Sequence, residues 1–151
     1  MKERFETFTV QVAKISRCIR KIKTEEMREF SLKTPHVSCL YYLYCKGPLT
    51  AKELCDICDE DKAAVSRTLI YLEKKGYVFY ESKARKRYKE PIMLTEKGKE
   101  VGEIIEKKIS KILQETSIGL SESELEIFYR GLALIGNNLQ NICDTYEEEN
   151  S

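Results

Sequence analysis

Apolar residues recur every three or four positions at both ends of the chain, which predicts two long helices with one apolar face each. The first series is Phe5, Phe8, Val12, Ile15, Ile19 and Ile22, and the second is Leu125, Phe128, Leu132, Ile135, Leu139, Ile142 and Tyr146. Such a face packs either on the chain's own core or on a second copy, and the spacing alone does not separate the two. We expect a dimer interface, because a short chain needs few long helices for one core. The residues expected there are Phe5, Phe8, Val12, Ile15, Ile19, Leu132, Ile135, Leu139 and Ile142.

The middle of the chain is divided into short elements by residues that start or stop helices. Thr34-Pro35 begins a helix that ends at Gly47-Pro48, and Thr50 with Glu53 forms a capping box for a short helix. Asp61 caps a third helix, which has Val65, Leu69 and Leu72 on its inner face and stops at Gly76. Residues 77–80 and 88–94 are rich in aromatic and β-branched side chains and predict a hairpin. This order is typical of a winged helix-turn-helix, so the predicted fold class is mostly α with a small β-hairpin wing.

Composition favours one soluble globular domain, with 42% hydrophobic and 34% charged residues in 151. The longest apolar run, Cys39 to Cys45, is too short to span a bilayer, and no apolar stretch follows the charged N-terminus. We therefore expect a cytoplasmic protein without a membrane partner.

The net charge of +1 is the sum of two regions of opposite charge. Residues 62–99 carry eleven basic residues against four acidic ones, and residues 115–151 carry eight acidic residues against Arg130. The basic region at residues 62–99, called the basic pole below, is typical of a surface that binds a polyanion.

Four sequence blocks in order carry a resemblance to a known family. They are Leu43 to Leu54, Asp61 to Leu69, Leu72 to Val78, and Leu94-Thr95-Glu96-Lys97-Gly98. Together they resemble the MarR family of bacterial winged helix-turn-helix transcriptional regulators. The resemblance implies a single MarR-like domain over 1–151, with a DNA-binding lobe at 34–98 and dimerisation helices at 1–30 and 99–147.

The resemblance also implies how DNA is read. The helix from Asp61 to Lys75 would enter the major groove, and its outward residues would face the bases. The helical period places Lys62, Ala63, Ser66 and Arg67 outward, and Ala63 or Ala64 is expected to contact a thymine methyl group. The wing residues that would face phosphates are Lys83, Arg85, Lys86, Arg87 and Lys89. Family members usually carry Asp-x-Arg in the wing, where this chain has Lys86-Arg87-Tyr88, so the residue that enters the minor groove stays open. The alternative for both sets is an ordinary solvated surface.

Six cysteines are many for this length, and we expect them to be reduced in the cytoplasm. His36-x-x-Cys39 and Cys55-x-x-Cys58 have a spacing like that of zinc ligands, but Cys39 and Cys58 stand where the family has aliphatic core residues. We therefore expect no metal and no cofactor. A peroxide-sensing branch of the family uses a cysteine near the first helix, which makes Cys18, beside Arg17, Arg20 and Lys21, the possible redox residue.

The function that follows is a homodimeric, sequence-specific regulator of transcription that binds a pseudo-palindromic site in double-stranded DNA. The resemblance implies a repressor released by a small aromatic ligand, with Tyr41, Tyr42 and Tyr44 on the helix that would line its pocket. The alternatives are a thiol-based redox regulator of the same fold and a helical interaction protein that binds no DNA. An enzyme is not expected, because one histidine and no Gly-rich phosphate loop leave few catalytic arrangements.

Overall fold

The computed structural model describes residues 2–81 and 87–149, which form six helices and one two-stranded sheet. The helices are α1 (Lys2–Glu26), α2 (Thr34–Lys46), α3 (Ala51–Cys58), α4 (Lys62–Lys74), α5 (Glu96–Thr116) and α6 (Glu122–Glu149). The strands are β1 (Val78–Tyr80) and β2 (Ile92–Leu94), and short 3₁₀ helices lie at Arg28–Phe30 and Arg87–Lys89. The predicted class, mostly helical with one small hairpin, is confirmed.

Helix starts lie where the capping residues predicted them. The Ala64 N–H donates to the Asp61 carboxylate at 2.7 Å at the start of α4. At α3, the Thr50 N–H donates to the Glu53 carboxylate at 2.7 Å, and the Glu53 N–H donates back to the Thr50 hydroxyl at 3.2 Å. Ser121–Glu124 repeats this arrangement at α6. Each cap satisfies N–H groups that the helix itself leaves unpaired.

The second strand is shorter than the sequence predicted. Residues 87–89 form a 3₁₀ helix, and β2 begins only at Ile92, which pairs with Tyr80 of the antiparallel β1. Pro91 has no N–H to give to a ladder, so extension of the strand toward Tyr88 is disfavoured. The Ile92 N–H also donates to the Leu49 carbonyl at 2.8 Å, which ties the hairpin to the segment before α3.

The chain divides into two compact units, residues 1–110 and 111–151. The core of the first unit is built from Leu40, Leu54, Leu72, Ile92 and Ile105, one each from α2, α3, α4, β2 and α5. Every one of them is essentially inaccessible to water. The recognition-helix candidate α4 is therefore fixed by its neighbours on one face, as its predicted inner residues required.

The apolar faces predicted for dimerisation are half-exposed in the single chain. On α1, Ile15 and Ile19 expose 51% and 47% of their surface, and on α6 Leu139 and Ile142 expose 48% and 50%. The described part of α6 contains no buried residue. The side chain of Phe5 lies outside the described residues. About half of the surface of each of these four side chains is therefore exposed to water in the single chain.

Among residues 2–81 and 87–149, no helix combines the length and the apolar character that crossing a bilayer requires.

The start of α5 is locked against the hairpin through Thr95 and Gly98. The Thr95 hydroxyl donates to the Gly76 carbonyl at 2.6 Å and accepts the Gly98 N–H at 3.0 Å. A Cβ at Gly98 would lie 2.0 Å from the Tyr77 carbonyl oxygen. This close approach explains why the sequence has glycine at position 98.

Gly98→Ala is expected to destabilise the fold by at least about 2 kcal/mol, because the backbone must move to admit the methyl group. Urea unfolding measures the change. Glu100→Ala, at an exposed position two residues along the same helix, is the control and should stay within about 0.5 kcal/mol of the parent. Equal stability of the Gly98 variant and the parent would show that the approach is not tight.

Candidate nucleic-acid interface

The outward face of α4 carries four of the five residues that the sequence predicted for DNA contact. Lys62, Ala63, Ser66 and Arg67 are exposed, while Val65, Thr68 and Leu69 on the opposite face are buried. A helix of 3.6 residues per turn produces this division directly. The exposed set lies on the first two turns, which is the part of a recognition helix that reaches base edges.

The fifth predicted residue, Ala64, lies elsewhere. It is half-buried and lines a small cavity between α4 and the start of α2, together with Thr34 and Pro35. With 3.6 residues per turn, Ala64 falls outside the helical face that Lys62, Ser66 and Arg67 share. Ile70, which the sequence analysis did not select, is on the exposed side and shows 63% of its surface. An exposed isoleucine one turn beyond Ser66 and Arg67 extends this face with an apolar patch.

The α3–α4 turn holds this face in position. Asp59 follows α3 with a left-handed backbone, φ 51°, and the Glu60 N–H donates to the Cys55 carbonyl at 3.1 Å. Asp61 then caps α4. Leu54 anchors α3 in the core. The two helices are thus connected by a short turn whose conformation these hydrogen bonds fix, as a helix-turn-helix requires.

Tyr88 connects the base of the hairpin to α4 and was not among the residues predicted for the site. The Lys62 Nζ lies 4.3 Å from the centre of the Tyr88 ring, a cation–π distance. Burial, with the neighbouring Cys55 thiol to which the phenol is hydrogen-bonded, raises the pKa of Tyr88. The side chain thus contacts α3 and α4 at once. An aromatic residue inside a basic run was the available signal.

Wing residues are described only in part. Lys83, Arg85, Lys86 and the side chain of Arg87 lie outside the described residues, and Lys89 is exposed. The role of the wing charges stays a prediction from the sequence.

Two further lysines of the basic pole have structural partners. The Lys97 ammonium donates to the Lys75 carbonyl at 2.8 Å and lies 4.3 Å from the centre of the Tyr77 ring. Lys75 itself is 5.9 Å from the Tyr71 ring. A cation at the carbonyl end of α4 is favoured by the helix dipole. Part of the positive charge of residues 62–99 therefore contacts the C-terminal end of α4, through Lys97.

The residues with zinc-like spacing are engaged with other partners. Within the described ranges, no three of the His, Cys, Asp and Glu side chains are grouped as a metal ion requires. The His36 ring stacks on Tyr71 at 4.1 Å, and its Nδ1 accepts the Lys33 N–H at 3.0 Å. Cys39 is buried in the core, and Cys18, the redox candidate, is exposed on α1.

The tyrosines proposed for a ligand pocket are mostly packing residues in this chain. Tyr41 and Tyr42 are half-buried against the core, with their rings 5.3 Å apart edge to face. Tyr44 covers Gly102, where a Cβ would lie 2.8 Å from the Cβ of Tyr44. The helix α2 is therefore held against α5 through this close contact.

Comparison with known proteins identifies the relatives of this arrangement. The sequence matches the MarR family over residues 30–87. The HTH-type transcriptional regulator YwoH of Bacillus subtilis (strain 168) is 30% identical over 118 residues, which cover 78% of this chain and 85% of the relative.

Two solved structures share the fold over nearly their whole length. A MarR family transcriptional regulator of Listeria monocytogenes, complexed with 26mer DNA, superposes with a TM-score of 0.78 at 21% identity. The match covers 88% of this chain and 89% of that one. Staphylococcus aureus MarR, in complex with salicylate and kanamycin, superposes with a TM-score of 0.79 at 18% identity over 92% and 94% of the two chains. These neighbours establish the winged-helix fold.

The stacked histidine predicts a pH dependence of stability. Burial, and then the charge of Lys33, lowers the pKa of His36 below its usual 6.5. The unfolded chain therefore binds a proton before the folded one does, so the free energy of unfolding falls as the pH drops below about 6.5. Because His36 is the sole histidine, NMR titration of its ring protons measures the pKa directly.

Urea unfolding from pH 7.5 to 5.5 measures the stability change, and His36→Phe, which keeps a ring over Tyr71, should flatten it. A His36 pKa above 6.5 in the folded protein would contradict the sign.

Proposed function

The chain belongs to the MarR family of transcriptional regulators, and from that premise we propose that it binds a specific site in duplex DNA as a homodimer and represses transcription there. The observation that carries the proposal is the exposed face of α4, which presents Lys62, Ser66 and Arg67 to solvent while its other face is held in the core. A protein of this kind acts in the cytoplasm, where the chromosome lies. We assign it no enzymatic activity.

Base readout is proposed to come from the first two turns of α4. The Arg67 guanidinium suits the O6 and N7 acceptors of guanine, which it contacts in a bidentate manner. The methyl group of Ala63 and the exposed side chain of Ile70 suit thymine methyl groups. The Lys62 ammonium packs over the Tyr88 ring and so lies between α4 and the base of the hairpin.

Backbone contacts are proposed for the wing. Lys83, Arg85, Lys86, Arg87 and Lys89 stand within seven residues of one another and repel each other in the free protein. Binding to DNA phosphates relieves this repulsion and releases the counterions condensed on the DNA. The affinity should therefore fall steeply as salt is added. These contacts fix the register of the protein on DNA but carry little sequence information.

The homodimer is proposed from the half-exposed apolar faces of α1 and α6. Helix-turn-helix dimers read two half-sites about one helical turn apart, so two copies of α4 match a pseudo-palindromic site. The Listeria monocytogenes neighbour in complex with 26mer DNA supports this mode of binding. The salicylate complex of the Staphylococcus aureus neighbour supports release by a small aromatic ligand.

Selection from a random duplex library tests the proposal. The expected result is an enriched pseudo-palindromic sequence whose complex contains two chains, as light scattering reports. Raising the salt from 50 to 200 mM should weaken binding by orders of magnitude. Absence of any enrichment, with no salt-dependent duplex binding, would overturn the proposed function and favour a helical interaction protein.

Arg67→Ala should weaken binding to the selected sequence by about 1–3 kcal/mol and relax the preference at one base pair. Gel-shift titrations on the selected and on a scrambled duplex measure both effects. Lys89→Ala is the matched control, because loss of a phosphate contact weakens the two duplexes alike. The same equal loss for Arg67→Ala would make Arg67 a phosphate contact.

Leu139→Glu should turn the dimer into a monomer at micromolar concentration, because it places a charge in the centre of the apolar face of α6. Leu134→Glu is the control, since Leu134 is exposed at 61% on another side of the same helix. Sedimentation equilibrium measures both. A Leu139→Glu protein that stays dimeric would exclude this face from the interface.

A further inference from the structure

Tyr71 of α4 contacts the chain segment that joins α1 to α2, and the proposed function does not use this side chain. The segment consists of residues 27–33 and is called the α1–α2 connection below. The Tyr71 hydroxyl donates to the Ser31 carbonyl at 3.0 Å, between residues 40 positions apart in the sequence. The Tyr71 ring itself is half-buried against the core. One side chain thus joins the recognition-helix candidate to the connection.

His36 of α2 holds the Tyr71 ring in this orientation. The two rings stack with their centres 4.1 Å apart and their planes 7° from parallel. The His36 Nδ1 accepts the N–H of Lys33, the last residue of the connection, at 3.0 Å. Stacked rings attract each other, so His36 restricts the tilt of the Tyr71 ring and directs its hydroxyl toward Ser31.

The backbone of the connection has an unusual conformation at the residue that Tyr71 contacts. Ser31 has φ 56°, in the left-handed region that residues other than glycine rarely adopt. Met27 and Leu32, at the two ends of this turn, are buried. Such a conformation persists where the surrounding contacts hold it. The Tyr71 hydroxyl supplies one of these contacts, at the Ser31 carbonyl.

Polar contacts tie the last turns of α1 to the helices around the connection. The Lys23 ammonium donates to the Ser38 hydroxyl of α2 at 3.1 Å, and the Lys108 ammonium of α5 donates to the Glu26 carboxylate at 2.9 Å. The apolar face of α1 is half-exposed and is proposed for the dimer interface. In a twofold dimer, the separation of the two copies of α4 depends on how α4 is oriented relative to α1 in each chain. The connection that Tyr71 contacts lies between these two helices in the sequence.

We propose that Tyr71 is a positioning residue that fixes α4 relative to α1 and thereby sets the spacing of the two DNA half-sites that the dimer accepts. Tyr71 lies about one helical turn from Arg67, the residue proposed for base readout, so movement at Tyr71 displaces that contact. This inference rests on the proposed function, whereas the hold of Tyr71 on the connection does not.

Half-site spacing is sensitive to the position of α4 for a geometric reason. Helix-turn-helix dimers read half-sites about 34–36 Å apart. One base pair added between the half-sites separates them by a further 3.4 Å or about that, and rotates one about the duplex axis by roughly 35°. A dimer whose α4 helices are held firmly accepts one spacing, whereas a dimer with loosened α4 helices tolerates neighbouring spacings.

Native-state amide hydrogen exchange tests the hold on the connection in the absence of DNA. Tyr71→Phe removes the hydroxyl and keeps the stacked ring. The Ser31 and Leu32 amides donate to carbonyls within the connection at 3.0 and 3.4 Å. In the variant they should exchange at least threefold faster relative to the core amide of Leu40, because the connection opens more often. Unchanged exchange would show that the hydroxyl does not hold the connection and would overturn the proposal.

Duplexes that differ only in half-site spacing test the consequence for DNA. They carry the selected half-sites at the selected spacing, or with one base pair added or removed between them, and fluorescence anisotropy gives the affinity for each. Tyr71→Phe should lower the ratio of matched to mismatched affinity at least threefold. Tyr42→Phe, which removes the hydroxyl of another half-buried tyrosine of the lobe, is the matched control and should leave both this ratio and the exchange rates within twofold of the parent.

The spacing ratio separates a positioning role from a loss of stability. A smaller folded fraction weakens all three affinities alike and leaves their ratio unchanged. Faster exchange together with a lower ratio supports the proposal, whereas faster exchange with an unchanged ratio overturns it.

The two measurements also separate this inference from the proposed function. If the parent protein binds no duplex, the proposed function fails and the spacing role fails with it, while the exchange rates still decide whether Tyr71 holds the connection. If the parent binds a selected duplex but Tyr71→Phe keeps the parent's spacing ratio, only the role of Tyr71 is overturned.

Discussion

The burial of one face of α4 is the constraint on which the rest of the structure depends. Once Val65, Leu69 and Leu72 enter the core shared with α2, α3 and β2, the helical period leaves Lys62, Ser66 and Arg67 no position except outside. The caps at Thr50 and Asp61 set where α3 and α4 begin, and the Thr95–Gly98 lock places the hairpin beside them. The exposed face of α4 is therefore a consequence of the core rather than an addition to it.

Periodicity and capping residues were enough to predict the helices, their order and the buried face of α4, because these properties depend on residues close in sequence. Contacts between distant residues were not predictable in this way. Nothing near Lys62 in sequence indicates that the ring of Tyr88 lies beside its ammonium, and the stacking of His36 on Tyr71 depends on how α2 packs against α4. The predicted start of the second strand at Tyr88 was wrong for a local reason. Pro91 has no N–H for the ladder, and the strand begins at Ile92.

Charge alone does not separate lysines with structural contacts from those proposed to contact DNA. Lys97 and Lys75 belong to the basic pole, yet Lys97 donates to the Lys75 carbonyl and covers Tyr77, so it supports the end of α4. Conversely, Ile70 adds nothing to the charge but extends the exposed face of the helix. In the single chain, about half of the surface of Ile15 and Ile19 on α1 and of Leu139 and Ile142 on α6 is exposed to water. Covering such surface is favourable by about 25 cal/mol per Å², which is the physical basis for the proposed dimer.

We propose that the exposed face of α4 contacts DNA while its inner face stays in the core. Backbone amide NMR spectra recorded with and without the selected duplex test this proposal. We expect the largest shifts on binding at residues 61–67 and in the hairpin, and little change at the amides of the core residues Leu40 and Leu54. Large shifts confined to other helices, with residues 61–67 unchanged at saturating duplex, would contradict it.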